Sequence, residues 1–430
     1  MKNQMTLVAA VMCILGIFTM VTYAGGTVQT VSFFSTSLHT NRWMQIYFPE
    51  GYKPSDTVRY PVIYFLHGAG YNDTGYTYLF PILDSLIANH SIKPLIVVKP
   101  DGSIGPWTGS FYTNSALYGK FEDYIVFDLV SYIDSSYKTL RSRDKRCIMG
   151  HSMGGYGSMK AALKHPGIYR GAASHSGPVD LNVWRNMCPP VKSENGGIPP
   201  FVYNPNAGAT TRYVFTCAGA FSPNMSNSPY QVDFPMDSLG RLIDSTFDKW
   251  LVHNPARIAA ALPPGSNLAL YFDCGTLDEL GCYAFNTGFR DSLSLLGLPY
   301  TWFSFVGRHE NHLVDRLPIS LHFLDSVMNV PTTAVQDGFT MLPTTIFLRQ
   351  NFPNPFNPIT TIKYNIPQES QVTAKIFDIL GREVAVLVNE KKDAGNYSVQ
   401  WNGEQFASGI YFYALQAGEF HETKRMSLIK

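Results

Sequence analysis

Gly150-His151-Ser152-Met153-Gly154 is a G-x-S-x-G run. It follows the apolar stretch Cys147-Ile148-Met149, which suits a buried strand, and precedes Tyr156 to Lys164, which reads as a helix. Strand, sharp turn, helix is the context in which a serine hydroxyl is lifted above a sheet to act as a nucleophile. The flanking glycines remove the Cβ atoms that such a turn would crush. In a chain with 35 glycines the pentapeptide alone says little, so the flanking elements carry the weight. Serine is a weak nucleophile and needs a base beside it. Histidine suits, being half-protonated near neutral pH, and a carboxylate must orient it and balance its charge.

In this arrangement the chain order is serine, acid, histidine. Downstream of Ser152 the candidates are Asp273 or Asp278, then His309 or His312. Asp278 lies in Gly275-Thr-Leu-Asp-Glu, a few residues past a strand, where a loop can aim it inward. Asp273 ends the strand itself and suits a hydrogen bond at the loop base. His309 follows Val306-Gly-Arg directly after the last strand, and His312 stands a helical turn further on. Asp278 and His309 are therefore favoured. Each alone would be an ordinary polar loop residue, and only the order of all three gives them meaning. The oxyanion formed on attack needs two N–H donors. Met153 supplies one, and the His67-Gly68-Ala69-Gly70 loop supplies the other, from Ala69. His67 braces that loop. His151 and Trp107 are candidates for the pocket wall, although His151 is equally readable as packing and Trp107 reads more readily as a packed surface aromatic.

The elements needed to position these residues can be read in order. Strands are expected at Val28 to Phe34, Arg42 to Phe48, Tyr60 to Leu66, Leu95 to Lys99, Cys147 to Met149, Gly171 to His175, Asn267 to Asp273 and Tyr300 to Val306, with helices at Phe80 to Asn89 and Phe121 to Ser135. Strands alternating with helices imply an α/β fold with a mainly parallel sheet covered on both faces. Ligands then bind at the carboxyl ends of the strands, where His67, Ser152, Asp278 and His309 fall. Residues 176–266 have weak periodicity and are rich in Pro, Asn, Gly and aromatics, including Trp184, Phe201, Tyr203 and Trp250. They are expected to form an irregular insertion or lid that walls the pocket. A linker is expected at 331–341, where Pro, Thr and Gly gather. From 342 to 430 short strands alternate with turns, as in a small β-sandwich.

The chain has 430 residues, 45% hydrophobic and 15% charged, with a net charge of +1. Two globular domains are the natural expectation. The even charge balance gives no footprint for nucleic acid. Lys2, the apolar Leu7 to Val21 and the small residues before Ala24 read as a signal peptide over 1–24, too short in its apolar part for a span of ~20 residues. Five cysteines then remain, with Cys147 expected free and Cys188–Cys217 or Cys274–Cys282 as candidate disulfides. No spacing of His and Cys suggests a metal, and the chemistry requires no cofactor.

Residues from about 30 to 329 resemble the putative-esterase family of α/β hydrolases, which includes feruloyl esterases, S-formylglutathione hydrolases and mycolyltransferase-like enzymes. The resemblance rests on Tyr64-Phe-Leu-His-Gly, Phe111-Tyr-Thr-Asn-Ser, Phe121-Glu-Asp-Tyr-Ile, Gly150-His-Ser-Met-Gly-Gly, Gly275-Thr-Leu-Asp and Gly307-Arg-His. It implies an α/β-hydrolase, with the catalytic serine, aspartate and histidine at Ser152, Asp278 and His309. The 176–266 insertion departs from the family, so substrate choice does not carry over. The tail resembles the C-terminal sorting domain of type IX secretion cargo, through Gln350-Asn-Phe-Pro-Asn-Pro-Phe-Asn-Pro, Lys375-Ile-Phe-Asp-Ile-Leu-Gly-Arg and Ala407-Ser-Gly-Ile-Tyr-Phe-Tyr. This implies export across an outer membrane by that machinery, to the cell surface or the medium. The expectation is a secreted serine carboxylesterase acting on feruloyl or acetyl esters of plant polysaccharide. The alternatives are acyl transfer to a sugar and a non-catalytic surface binding protein.

Overall fold

Val62–Leu66 (β4) shows why the sheet forms as it does. All five of its residues are buried. Val62, Tyr64 and Leu66 join one apolar cluster and Ile63 and Phe65 the other, the period-two alternation of a strand covered on both faces. The computed structural model describes residues 19–22, 25–104, 108–200, 202–263, 265–329, 347–348, 351, 354–366, 368–393 and 395–429. The expected linker and Trp107 lie outside these residues, as does most of the expected signal peptide. The chain divides into two units, Met1–Val330 and Pro331–Lys430.

In the first unit, Thr19–Thr22 (β1), Thr27–Ser35 (β2) and Thr40–Phe48 (β3) pair antiparallel in sequence. Ile96–Pro100 (β5) joins β3 antiparallel and β4 parallel. Arg146–His151 (β6), Gly171–His175 (β7), Ala269–Gly275 (β8) and Thr301–Phe305 (β9) follow β4 in parallel. The order is β1-β2-β3-β5-β4-β6-β7-β8-β9. The β1 strand falls within the expected signal peptide, so cleavage after Ala24 would leave β2 as the edge.

Leu79–Ala88 (α1) leans on one face of the sheet through Leu79, Phe80 and Leu83. The polar face of Leu129–Ser136 (α2) is turned to solvent, and its Leu129 and Ile133 enter the opposite cluster. Met153–Lys164 (α3) covers the opposite face and is buried at nearly every position.

Residues 176–266 are irregular only in part. They contain Ala209–Phe221 (α4), Asp244–Leu251 (α5) and two shorter helices, and Trp184, Phe221 and Trp250 belong to the main apolar cluster. α4 reads Ala-Thr-Thr-Arg-Tyr-Val-Phe-Thr-Cys-Ala-Gly-Ala-Phe, which is poor in strong helix formers. Burial on several sides, rather than propensity, makes it a helix. At Gly219 a Cβ would strike the Tyr118 hydroxyl, so glycine allows this close approach. Cys282–Leu296 (α6) and Leu313–Met328 (α7) complete the two faces. The five described cysteines are all buried free thiols, so neither candidate disulfide forms. No helix among the described residues is long and apolar enough to cross a membrane.

The second unit is all antiparallel. Phe347–Leu348 (β10), Ile359–Ile366 (β11) and Gly395–Asn402 (β14) form one sheet. Ser370–Phe377 (β12), Glu383–Lys392 (β13), Gly409–Ala417 (β15) and Phe420–Leu428 (β16) form the other, in the order β13-β12-β15-β16. Trp401 is 3% exposed and packs on Phe356, Phe406 and Tyr411, so it offers no stacking platform to a sugar.

Lys99 on β5 is buried with its ammonium over the Phe80 ring, donating to the Gln45 side chain and the Gly75 carbonyl. Burial pushes its pKa down to about 7, against the pull of Asp73. Between that value and the ordinary lysine pKa of about 10.4 the unfolded chain holds a proton the folded chain lacks. This group's contribution to stability is therefore full at high pH and lost as pH falls toward 7. Lys99→Met should be more stable relative to wild type at pH 7 than at pH 10. Denaturant melts across that range should show the gap narrowing by on the order of 1 kcal/mol per pH unit.

Candidate active site

Ser152 stands between β6 and α3 with φ 56° and ψ −120°, a left-handed backbone that a non-glycine residue adopts at a cost of ~1–3 kcal/mol. A Cβ at Gly150 would press on the Gly154 backbone and the Leu66 carbonyl, and one at Gly154 would drive into Leu66. The two glycines thus let the turn close against the end of β4. The Ser152 N–H donates to the His175 carbonyl at 2.8 Å, tying the turn to β7. The register Leu66–Gly150, His151–His175, Asp273–His175 and Gly275–Phe305 brings the carboxyl ends of five parallel strands to one edge.

Asp278 and His309 meet at that edge. The turn after β8 is clipped to β9's end by Thr276 N–H to Phe305 O (2.8 Å) and Leu277 N–H to Gly307 O (3.0 Å). His309 Nδ1 lies 2.7 Å from Asp278 Oδ2. The other Asp278 oxygen accepts from the N–H groups of Leu280 (3.0 Å) and Cys282 (3.2 Å). Burial works to raise the Asp278 carboxyl, but the hydrogen bond and charge of His309 outweigh it, with help from the two N–H groups, and hold it below the usual range. The carboxylate is therefore ionised at neutral pH and fixes the histidine proton on Nδ1. His309 is 5% exposed, and its Nε2 is buried with no hydrogen-bond partner among the described residues. It is thus a base in the right tautomer with a free lone pair.

The other candidate pair is engaged elsewhere. Asp273 binds His175 Nδ1 (2.8 Å), Arg316 Nη1 (2.5 Å) and the Tyr271 hydroxyl (2.9 Å) inside the core. His312 is exposed beside Asp315, at 3.2 Å. His151, expected at the pocket wall, is 1% exposed and spends both ring nitrogens inside the protein, on the Tyr76 hydroxyl and the His309 carbonyl. Burial, then the nearby His309, keep it well below its ordinary pKa and neutral. It braces the site and does not line it.

The loop expected to supply the second oxyanion donor is fixed on both sides of Ala69. The Gly68 N–H donates to Tyr76 at 3.1 Å and the Gly70 N–H to the Thr108 carbonyl at 2.8 Å. A Cβ on Gly68 would come within 3.3 Å of the Ser152 Cβ, so this backbone lies against Ser152. His67 Nε2 accepts the Gly102 N–H (2.8 Å), which leaves its proton on Nδ1 to donate to the Gly68 carbonyl (2.8 Å). Met153 opens α3, where first-turn N–H groups have no helical partner. Its side chain is buried beside the Phe111 N–H.

Asp278, Cys282 and His309 place a carboxylate, a sulfur and an imidazole nitrogen within 4.8 Å of one another. Burial, then Asp278, push the Cys282 thiol well up, so it carries its proton at neutral pH. Tyr76, His175, Ser176 and Arg316 were not singled out in the sequence. His175 and Ser176 had one visible signal, as polar residues closing a small apolar strand.

Fold and edge together define an α/β hydrolase, and comparison with known proteins gives the family. Residues 35–287 match the model of the family described as "Putative esterase", and the chain belongs to that family. Residues 350–430 match the secretion system C-terminal sorting domain. An esterase of Mycobacterium tuberculosis is 27% identical over 284 residues, covering 64% of this chain and 54% of its own. The chain thus spans about half the length of that curated relative. An endo-1,4-beta-xylanase/feruloyl esterase of Xylanibacter ruminicola is 32% identical over 158 residues, covering 34% of this chain and 20% of the relative. A solved ferulic acid esterase shares the fold at a TM-score of 0.50 and 19% identity, covering 71% of this chain and 99% of that one.

Substitution tells the two carboxylates apart. Asp273→Asn should lower stability by ~3–5 kcal/mol in denaturant melts, because it leaves Arg316 without its buried counter-charge. Asp278→Asn should cost less stability yet reduce ester turnover by roughly 10⁴-fold, because the histidine loses its tautomer control.

Proposed function

We propose that this chain is an exported serine esterase that cleaves carboxylic esters through an acyl-enzyme on Ser152. The observation that carries the reading is the Asp278–His309 pair, with its unpartnered, buried Nε2, at the same strand edge as the left-handed Ser152 turn. In this mechanism His309 Nε2 takes the Ser152 proton as Oγ attacks the ester carbonyl. The Met153 and Ala69 N–H groups receive the oxyanion, each worth ~3 kcal/mol in the transition state. Collapse expels the alcohol, which leaves with the proton from His309. Water then repeats the sequence against the acyl group, and Asp278 balances the imidazolium in both halves.

We favour feruloyl or acetyl esters on plant polysaccharide as substrates; the feruloyl class is supported by a relative named an endo-1,4-beta-xylanase/feruloyl esterase. The insertion supports a distinct pocket, because α4 abuts the oxyanion side of the site: Thr216 and Thr108 hydroxyls are 3.4 Å apart and Tyr213 packs edge-on to Phe111. The tail supports export through a type IX machinery, with release to the surface or the medium.

Purified wild type and Ser152→Ala, assayed on a p-nitrophenyl acyl series, should differ by roughly 10⁴-fold or more in kcat. Equal turnover by both, or none by the wild type, would remove the esterase reading. Methyl ferulate and acetylated xylan assayed side by side should then rank the two acyl classes. Inactivity on both, with p-nitrophenyl esters still cleaved, would reject the polysaccharide assignment alone.

A further inference from the structure

The main-chain carbonyl of His309 is held twice. Ser176 Oγ donates to it at 3.1 Å and His151 Nε2 at 3.3 Å. A carbonyl only accepts, so the His151 proton is on Nε2 and its Nδ1 accepts from the Tyr76 hydroxyl at 2.9 Å. That hydroxyl accepts in turn from the Gly68 N–H at 3.1 Å, one peptide before Ala69. An unbroken line of hydrogen bonds therefore runs from the oxyanion loop, through the residue next to the nucleophile, to the backbone of the base.

The second arm starts at Ser176. This residue is fully buried with φ 51°, a strained conformation for a side chain that lacks glycine's freedom. Its N–H donates to the Asp273 carbonyl at 2.8 Å and its hydroxyl accepts from Arg316 Nη1 at 3.3 Å. Arg316 is anchored on the Asp273 carboxylate. The neighbouring His175 carbonyl is the one that takes the Ser152 N–H. A single two-residue segment, His175-Ser176, thus holds the nucleophile turn with one group and the base loop with the next. Strain of this kind persists only where the surroundings over-determine the backbone.

We propose that Tyr76, His151 and Ser176 are positioning residues that lock the oxyanion loop, the nucleophile turn and the base loop into register through the backbone carbonyl of His309. The proposal rests on the reading of Ser152, Asp278 and His309 as the catalytic set. Proton transfer and attack need reacting atoms aligned to a fraction of an ångström, and a misplacement of about 1 Å can cost ~100-fold. Three loops from distant parts of the chain have no covalent reason to hold that alignment.

Two variants remove one hydroxyl each. Ser176→Gly relieves the left-handed backbone while deleting the bond to His309, so its melting temperature should equal or exceed that of wild type. Tyr76→Phe keeps the ring packed against Phe65 and Tyr71. Active sites are counted by fluorophosphonate titration, and p-nitrophenyl acetate kinetics are measured well below both melting temperatures. In each variant kcat per titrated site should fall roughly tenfold or more, with KM within about threefold of wild type. A merely structural role would change the fraction folded and leave kcat per site alone. A value within about twofold of wild type in either variant overturns the proposal. Ser152→Ala run alongside separates the two ideas: if it retains turnover, the catalytic reading itself has failed.

Discussion

The structure depends on one steric fit. The Ser152 turn closes only because Gly150 and Gly154 have no Cβ to set against the end of β4. That contact presses a strand-to-helix junction into a left-handed conformation and places the serine, 8% exposed, at the carboxyl ends of the strands. The strain is offset by the surrounding sheet, whose central parallel strands β4, β6 and β7 are buried on both faces and pinned by register. Without the stiff sheet the turn would relax. Without the turn the strand ends would merely be loops.

Electrostatics around the edge follows from what is buried and what is paired. Two carboxylate–histidine pairs stand near one another at this end of the sheet, Asp278 with His309 and Asp273 with His175. They differ in what lies beyond the imidazole. The His175 Nε2 is 2.8 Å from the Ser320 hydroxyl, deep in the core, and Arg316 shares the Asp273 carboxylate. The His309 Nε2 has no such partner among the described residues. The same chemical pair is thus used once to hold the fold and once, on the reading advanced here, to move a proton.

The two units divide the labour. The hydrolase unit contains the strand edge and the α4 wall. The β-sandwich unit has its own apolar core, in which even Trp401 is consumed by packing. Its family match is to a secretion system C-terminal sorting domain.

Much of this was legible in the residues. The G-x-S-x-G turn, the alternation of strands and helices, the order serine–acid–histidine and the all-β tail are local patterns, and local sterics and side-chain period set them directly. The helices of the insertion were missed because α4 owes its helix to burial, which no window of sequence contains. The disulfide expectation failed for a similar reason: counting thiols gives no distances, and all five are buried singly. His151 looked like a pocket residue because it adjoins the nucleophile. Adjacent residues in a tight turn point to different sides, and only the packed structure shows that His151 turns inward to Tyr76 and His309. Sequence by itself determined which groups could react. Tertiary structure decided which carboxylate serves which histidine, and what holds the three loops together, because those bonds join residues separated by up to about 160 positions and exist only once the sheet has brought their strand ends side by side.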